Sequence, residues 1–181
     1  MCGNSQVAYY SILAISGIAG CTDVARGKIY NWLTLPALAA GLFSGLYYSS
    51  FQGLGCAALG AAAGFLLFGW MYFFFKTMGA GDVKMLMALG AWGGAQYSLR
   101  VAILSICLGG LFALISLILK GRLISFSKKI YAFFASVVVK ELEVAPPKLD
   151  RSLTIPFGVP MALAAVWVLT ADPFQRWGLP L

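Results

Sequence analysis

Long stretches without a single charged side chain dominate this sequence. Residues 1–22, 29–75, 85–99, 101–119 and 152–171 contain no Asp, Glu, Lys or Arg. One bilayer crossing takes about 20 mostly apolar residues, so the stretch 29–75 has room for two. Charged residues make up 10% of the chain, where a soluble domain carries roughly 25%. With 181 residues and 61% hydrophobic side chains, a water-soluble fold would leave too much apolar surface in contact with solvent, because small domains cover a limited share of it. The pattern predicts an all-α, polytopic membrane protein.

Six transmembrane helices account for the runs. The first covers Val7 to Gly20. No Lys or Arg precedes it and Arg26 and Lys28 follow it, the reverse of a secretory signal's polarity, so it reads as a permanent helix with its N-terminus outside. The second runs from about Trp32 to Tyr48, and the polar break Ser49-Ser50-Phe51-Gln52-Gly53 turns the chain back. The third runs from about Leu54 to Phe75 and ends in an aromatic belt of Trp70, Tyr72 and Phe73 to Phe75. A short fourth helix covers about Val83 to Gln96, a fifth Val101 to Leu119, and a sixth Phe157 to Thr170. The chain reads as one domain over residues 1–181, with a cytoplasmic loop at about 120–153. Within that loop Phe126, Ile130, Phe133 and Val137 recur at helical spacing opposite Lys129, Ser136 and Lys140. Such a segment is an interfacial amphipathic helix, resting on anionic lipid or docking a substrate. Val137-Val138-Val139 also fits a short strand.

In this topology Arg100 and Arg176 are the basic residues left outside, and the other eleven of the 13 Lys and Arg lie inside. That bias sets the orientation by the positive-inside rule. The net charge of +7 is then a loop property that favours a lipid bilayer with anionic headgroups, and no nucleic acid is needed as a partner.

The sequence has no histidine, which excludes Ser-His and Cys-His nucleophile pairs, HExxH zinc sites and imidazole proton shuttles. Cys2, Cys21, Cys56 and Cys107 form no CxxC pair and read as small membrane-buried residues rather than a zinc or redox motif. Any enzymatic chemistry falls to carboxylates. Glu141, Glu143, Asp150 and Asp172 lie in loops or at the outer end of the last helix and read as solvated charges. Asp23 and Asp82 differ. Asp23 comes off the inner end of the first helix and Asp82 opens the fourth, so both face the cytoplasmic side at similar depth, 59 positions apart. The 15 uncharged residues between Lys84 and Arg100 rise only about 23 Å against a hydrocarbon core of about 30 Å. A bilayer that thins there explains this, and so does a water-filled notch holding Asp82 below the headgroups. An ionisable group at that depth costs roughly 2.5–3.5 kcal/mol and marks a functional site by default. The plainer readings are an N-cap for Asp82 and a helix-end charge beside Arg26 for Asp23. Glycines at 79 and 81 free the backbone around Asp82 for close approach.

Three blocks carry a resemblance: Asp23-Val-Ala-Arg-Gly-Lys-Ile-Tyr-Asn-Trp-Leu-Thr-Leu-Pro36, Gly79-Ala-Gly-Asp-Val-Lys-Met-Leu-Met-Ala-Leu-Gly-Ala-Trp92 and Pro156-Phe-Gly-Val-Pro160. In that order they resemble the signature blocks of the type IV prepilin peptidases, GxGD-type aspartic proteases of the membrane. Tyr30 stands where the family usually has proline, and Val159 interrupts its common Phe-Gly-Pro. The resemblance implies Asp23 and Asp82 as catalytic aspartates, with Gly79, Gly81, Lys84, Asn31, Pro156 and Gly158 shaping the site. Lys84 is better read as a snorkelling anchor than as a catalytic group, because two positions along a helix it points away from Asp82. The absence of paired cysteines makes the chain similar to the short peptidase form of Flp/Tad pilus systems, without the N-methylation of longer members.

The activity so implied is endopeptidase cleavage of a prepilin's short basic leader, after a glycine and just ahead of an apolar helix, at the cytoplasmic face of a bacterial inner membrane. One ionised aspartate takes a proton from water while the other, protonated, polarises the carbonyl; two adjacent carboxylates reach this state by sharing one proton. No metal and no organic cofactor is required. Oligomeric state and the identity of the prepilin are not encoded in these motifs. The competing readings are a small transporter or channel with the aspartates as proton or cation ligands, and a structural subunit whose aspartates only cap helices. A presenilin-type protease would add Tyr-Asp and Pro-Ala-Leu motifs, which the matching helices lack.

Overall fold

The computed structural model describes residues 2–75, 79–119, 121 and 157–176. These residues form α1 (Ser5–Arg26), α2 (Asn31–Phe75), α3 (Ala80–Gly93), α4 (Ala95–Leu119), α5 (Gly158–Ala171) and the short α6 (Pro173–Arg176), with no strand among them. The segment 120–153 with its helix and strand alternatives, Gly121 apart, lies outside the described residues, as does Pro156. The chain divides into two compact units, Met1–Gly109 with Pro156–Leu181, and Gly110–Ile155. The first carries both aspartates and the packed helices. The described part of the second is the end of α4 and a turn at Gly121, whose amide donates to the Ile118 carbonyl at 3.0 Å.

Asn4 caps α1 by accepting the Gln6 amide at 3.0 Å. The helix stops where glycine permits a left-handed residue: Gly27 has φ 61° and its amide donates to the Asp23 carbonyl at 2.8 Å. It therefore runs past the expected end at Gly20, because nothing before Gly27 breaks it. Asp23 stands within its last turn rather than beyond it.

The 45 residues of α2 would rise about 68 Å if straight, twice the thickness of a hydrocarbon core. Instead the helix folds back at the expected polar break. Ser49 (φ −132°) and Ser50 (φ 52°) leave helical geometry, and Gly45 and Gly53 meet so closely that a Cβ on Gly45 would stand 2.6 Å from the Gly53 carbonyl oxygen. The arms 31–48 and 51–75 then clasp α3. Gly41 approaches Ala91 and Trp92 on one side, and Gly64 approaches Leu86 and Met87 on the other. Trp92 Nε1 donates to the Ala37 carbonyl at 2.9 Å. Small residues at these crossings let backbones close in, as membrane helix packing requires.

At 14 residues α3 rises only about 21 Å. Val83, Met85, Leu86, Ala88, Leu89, Ala91 and Trp92 are all buried, the mark of a helix enclosed by its neighbours. It ends at Gly94 (φ 89°), and α4 begins at Ala95 rather than near Val101. Gln96, expected to end the fourth helix, and Ser98 and Arg100, expected between helices, occupy the first turns of α4, since the glycine pair 93–94 is the breaker there. Tyr97 anchors α4 to α5 by donating to the Ala165 carbonyl at 2.7 Å. Arg100 pairs with Asp172 at the end of α5.

Among the described residues three helices are long and apolar enough to cross a membrane, α1, α2 and α4, with α5 a shorter apolar helix. Exposed aromatics gather at both ends of the α2 hairpin, with Phe43, Tyr47, Tyr48 and Phe51 at the reversal and Trp70, Tyr72, Phe73 and Phe74 at the opposite end. Soluble proteins do not expose such patches, whereas bilayer interfaces favour them.

The cysteine reading needs one correction. Cys2 and Cys56 form a disulfide across 54 positions, with their Cα atoms 5.4 Å apart, while Cys21 and Cys107 are free and exposed. The hairpin of α2 brings Cys56 to the N-terminal segment, a proximity that sequence spacing does not encode.

Candidate active site

The two aspartates come from separate elements at the same end of the bundle. Asp23 lies in the last turn of α1 and Asp82 in the first turn of α3, and they are only 4% and 8% exposed. A carboxyl this deeply buried needs partners, because removing charge from water is costly. Each aspartate has the other within electrostatic range.

Their remaining surroundings differ. Asp82 Oδ2 accepts the Gly79 amide at 3.0 Å, so Asp82 does cap its helix, and the cap leaves it within electrostatic range of Asp23. The amides of Gly158 and Val159, at the N-terminus of α5, face the Asp23 carboxyl. That helix end carries a partial positive charge suited to an anion. Asp23 Oδ2 nevertheless closes no hydrogen bond among the described residues.

Three of the expected glycines make the approach possible. A Cβ on Gly158 would stand 2.7 Å from Asp23 Oδ2 and 2.9 Å from Ile29 Cδ1. On Gly81 it would stand 3.1 Å from both Cβ and the carbonyl oxygen of Ile29, and on Gly79 3.3 Å from Asp82 Oδ2. Ile29, between α1 and α2, therefore fits into the space that Gly81 and Gly158 vacate. Sequence reasoning passed over it. The available signal was one apolar side chain within the polar turn Arg26-Gly27-Lys28-Ile29-Tyr30-Asn31. That turn is braced by Arg26, which donates to the Tyr30 hydroxyl at 2.8 Å and lies 5.6 Å from the centre of its ring.

Lys84 and Asn31 meet each other: Lys84 Nζ donates to Asn31 Oδ1 at 3.0 Å, joining α3 to the start of α2. Asp23, Asp82, Gly79, Gly81 and Gly158 are thus brought together around Ile29, Lys84 and Asn31 pair on one exposed flank, and Pro156 falls outside the described residues. Two buried carboxyls that feel each other's charge favour holding one proton between them, a state able to supply both an acid and a base without a histidine.

Residues 10–114 match the type IV leader peptidase family. The chain is 45% identical over 165 residues to a prepilin leader peptidase/N-methyltransferase of Aeromonas hydrophila, and 33% identical over 165 residues to that of Aeromonas salmonicida (strain A449). Both alignments cover 87% of this chain and 47% of the relative. A protein of the same name from Burkholderia pseudomallei (strain 1026b) is 35% identical over 112 residues, covering 59% of this chain and 35% of the relative. The chain thus spans about half the length of the curated relatives it matches. No solved structure gives a significant match. The matched residues run from α1 into α4 and include both aspartates, and on this ground the chain belongs to the type IV leader peptidase family.

Proposed function

We propose that this chain is a membrane-embedded aspartic endopeptidase that removes the leader of a type IV or Flp-type prepilin at the cytoplasmic face of a bacterial inner membrane. The observation that carries the reading is the burial of two carboxyls, from α1 and α3, within electrostatic range of one another, which the capping role of Asp82 alone does not call for. Asp23 and Asp82 share one proton. The ionised partner takes a proton from water as it attacks the scissile carbonyl, and the protonated partner donates to the carbonyl oxygen and afterwards to the leaving amine. The proton count belongs to the pair, so neither residue is assigned permanently as acid or base. The reading concerns the peptidase step. N-methylation, which the curated relatives carry in their names, is not ascribed to these 181 residues, which hold no CxxC pair.

Six crossings fit the helices: α1, the two arms of α2, the short α3, α4 and α5. The Asn4 end of α1 faces outward and the Asp23 end inward. The disulfide supports this orientation independently of the basic residues. Cys2–Cys56 lies at the Trp92 end of α3, where the Cys2 amide donates to the Trp92 carbonyl, opposite the Asp82 end. Disulfides persist in the oxidising periplasm and not in the cytoplasm.

The test incubates detergent-purified protein with a synthetic prepilin-type peptide, a basic leader ending in glycine followed by an uncharged apolar helix, and follows loss of the leader by mass. Wild-type protein cleaves after the glycine, and Asp23→Asn and Asp82→Asn do not. Ion flux through reconstituted protein without cleavage would replace this reading with the transporter alternative.

A further inference from the structure

A groove of about 430 Å³ runs along the surface between α1 and α5, lined by Ser16, Gly17, Gly20 and Cys21 on one side and by Val159 and Ala162 among others on the other. Its inner end adjoins the aspartates, since Gly20 and Val24 flank Asp23 in sequence and the Val159 amide faces the Asp23 carboxyl. We infer that this groove seats the apolar helix that follows the cleavage site in the substrate, and so presents the scissile bond to the aspartate pair. The inference rests on the peptidase reading above and names the surface that reading needs.

Three observations favour a helix as the occupant. First, Ser16 with Gly20, and Gly17 with Cys21, form two small-residue pairs at i, i+4 spacing; α5 takes up the first, a Cβ on Gly20 standing 3.2 Å from that of Ala162, and the second is left on the open wall. Such pairs let a second helix backbone come close, a feature that a lipid chain does not need. A Cβ on Gly17 would meet nothing within 4 Å, so that wall is open. Second, Ser16 is wholly buried and its hydroxyl, on the groove lining, has no hydrogen-bond partner among the described residues. Buried hydroxyls are normally partnered, and an occupant pressing on this wall lets the Ser16 side chain turn outward to a backbone or side-chain acceptor. Third, the groove extends from Ser16 to Val24, about 12 Å at helical rise, or a little over two turns. Its inner end is where a substrate helix would have to begin for the preceding residues, unwound at glycine, to reach Asp23.

Cys21, free and exposed on the groove wall, is a built-in reporter, with exposed Cys107 on α4 as its internal control. The experiment follows N-ethylmaleimide labelling of both thiols by mass in purified Asp82→Asn protein, with the same synthetic peptide at saturation as judged by pull-down. Peptide slows Cys21 labelling at least about fivefold, as expected when occupancy removes the thiol from solvent, and leaves Cys107 unchanged. Gly17→Leu, a change that favours helix and meets no neighbour, fills the groove and abolishes the protection. In otherwise wild-type enzyme it raises KM about tenfold with kcat within about twofold, the signature of lost binding rather than lost chemistry. Bound peptide that leaves Cys21 labelling unchanged overturns the inference. So does protection that needs no peptide and disappears on delipidation (a lipid occupant), or that scales with enzyme concentration (a second copy). Cleavage with an unprotected Cys21 removes the groove alone. Wild-type protein that never cuts the peptide removes the peptidase reading and, with it, the occupant assigned here.

Discussion

The two ends of the helical bundle are built on different terms. At the end that holds Cys2 and Trp92, cross-links join separate elements: Cys2 to Cys56, Arg100 to Asp172, Tyr97 to Ala165, and the Cys2 amide to Trp92. At the end that holds Asp23 and Asp82 the side-chain ties include the exposed pairs Lys84–Asn31 and Arg26–Tyr30, and Asp23 keeps an oxygen without a hydrogen bond among the described residues. Glycines there hold space open rather than fill it. The lesson is a division of labour, in which the disulfide end is cross-tied and the aspartate end carries two buried carboxyls, one of which keeps an oxygen without a hydrogen bond among the described residues.

The contrast can be broken by exchanging the kinds of damage. Asp23→Asn and Asp82→Asn should each lower kcat/KM for the prepilin-type peptide at least a hundredfold, the usual size of a lost acid or base, roughly 10²–10⁴. Thermal unfolding followed by circular dichroism should show no loss of stability, because neither change removes apolar packing. At the other end, Cys2→Ser or full reduction should do the opposite. Opening a bridge across 54 positions should cost about 2–4 kcal/mol of stability in denaturant titrations, with kcat at 25 °C unchanged. A Cys2→Ser enzyme that unfolds no more easily than wild type would erase the distinction.

Smaller changes sharpen the comparison. Gly158→Ala puts a methyl 2.7 Å from Asp23 Oδ2 and should displace that carboxyl, lowering kcat by about a hundredfold as expected for a misplacement near 1 Å. The same assay on Gly55→Ala, where a Cβ meets nothing within 4 Å, is the control that should retain full turnover. The smallest effect belongs to Ser50, whose φ of 52° at the reversal of α2 suits glycine better than serine. Ser50→Gly should raise stability by about 1 kcal/mol without altering activity.

How much of this could be read in the chain follows from which forces act locally. The all-helical architecture was legible because uncharged runs longer than a bilayer leave few alternatives, and the α2 reversal because Ser49, Ser50 and Gly53 interrupt apolar sequence. Asp23 and Asp82 stood out because charge is rare in such a sequence. Helix ends were less legible. Asp23 and Thr22 are polar but do not stop α1, since only Gly27 offers the left-handed residue that does. Gln96 and Arg100 likewise sit within α4, since Gly94 makes the break. Contacts across the fold were the least legible. Cys2 meets Cys56 only once the hairpin has formed, and Ile29 gains its place only because Gly81 and Gly158, far apart in sequence, lack side chains.

The central claim is that residues 23 and 82 act as one unit, and the cleavage rate of the doubly substituted Asp23→Asn/Asp82→Asn enzyme tests it most directly. A shared-proton pair predicts that the double variant retains the same residual rate as each single variant, because losing either partner already disables both. Losses that multiply, or a single variant with near-normal turnover, would contradict it.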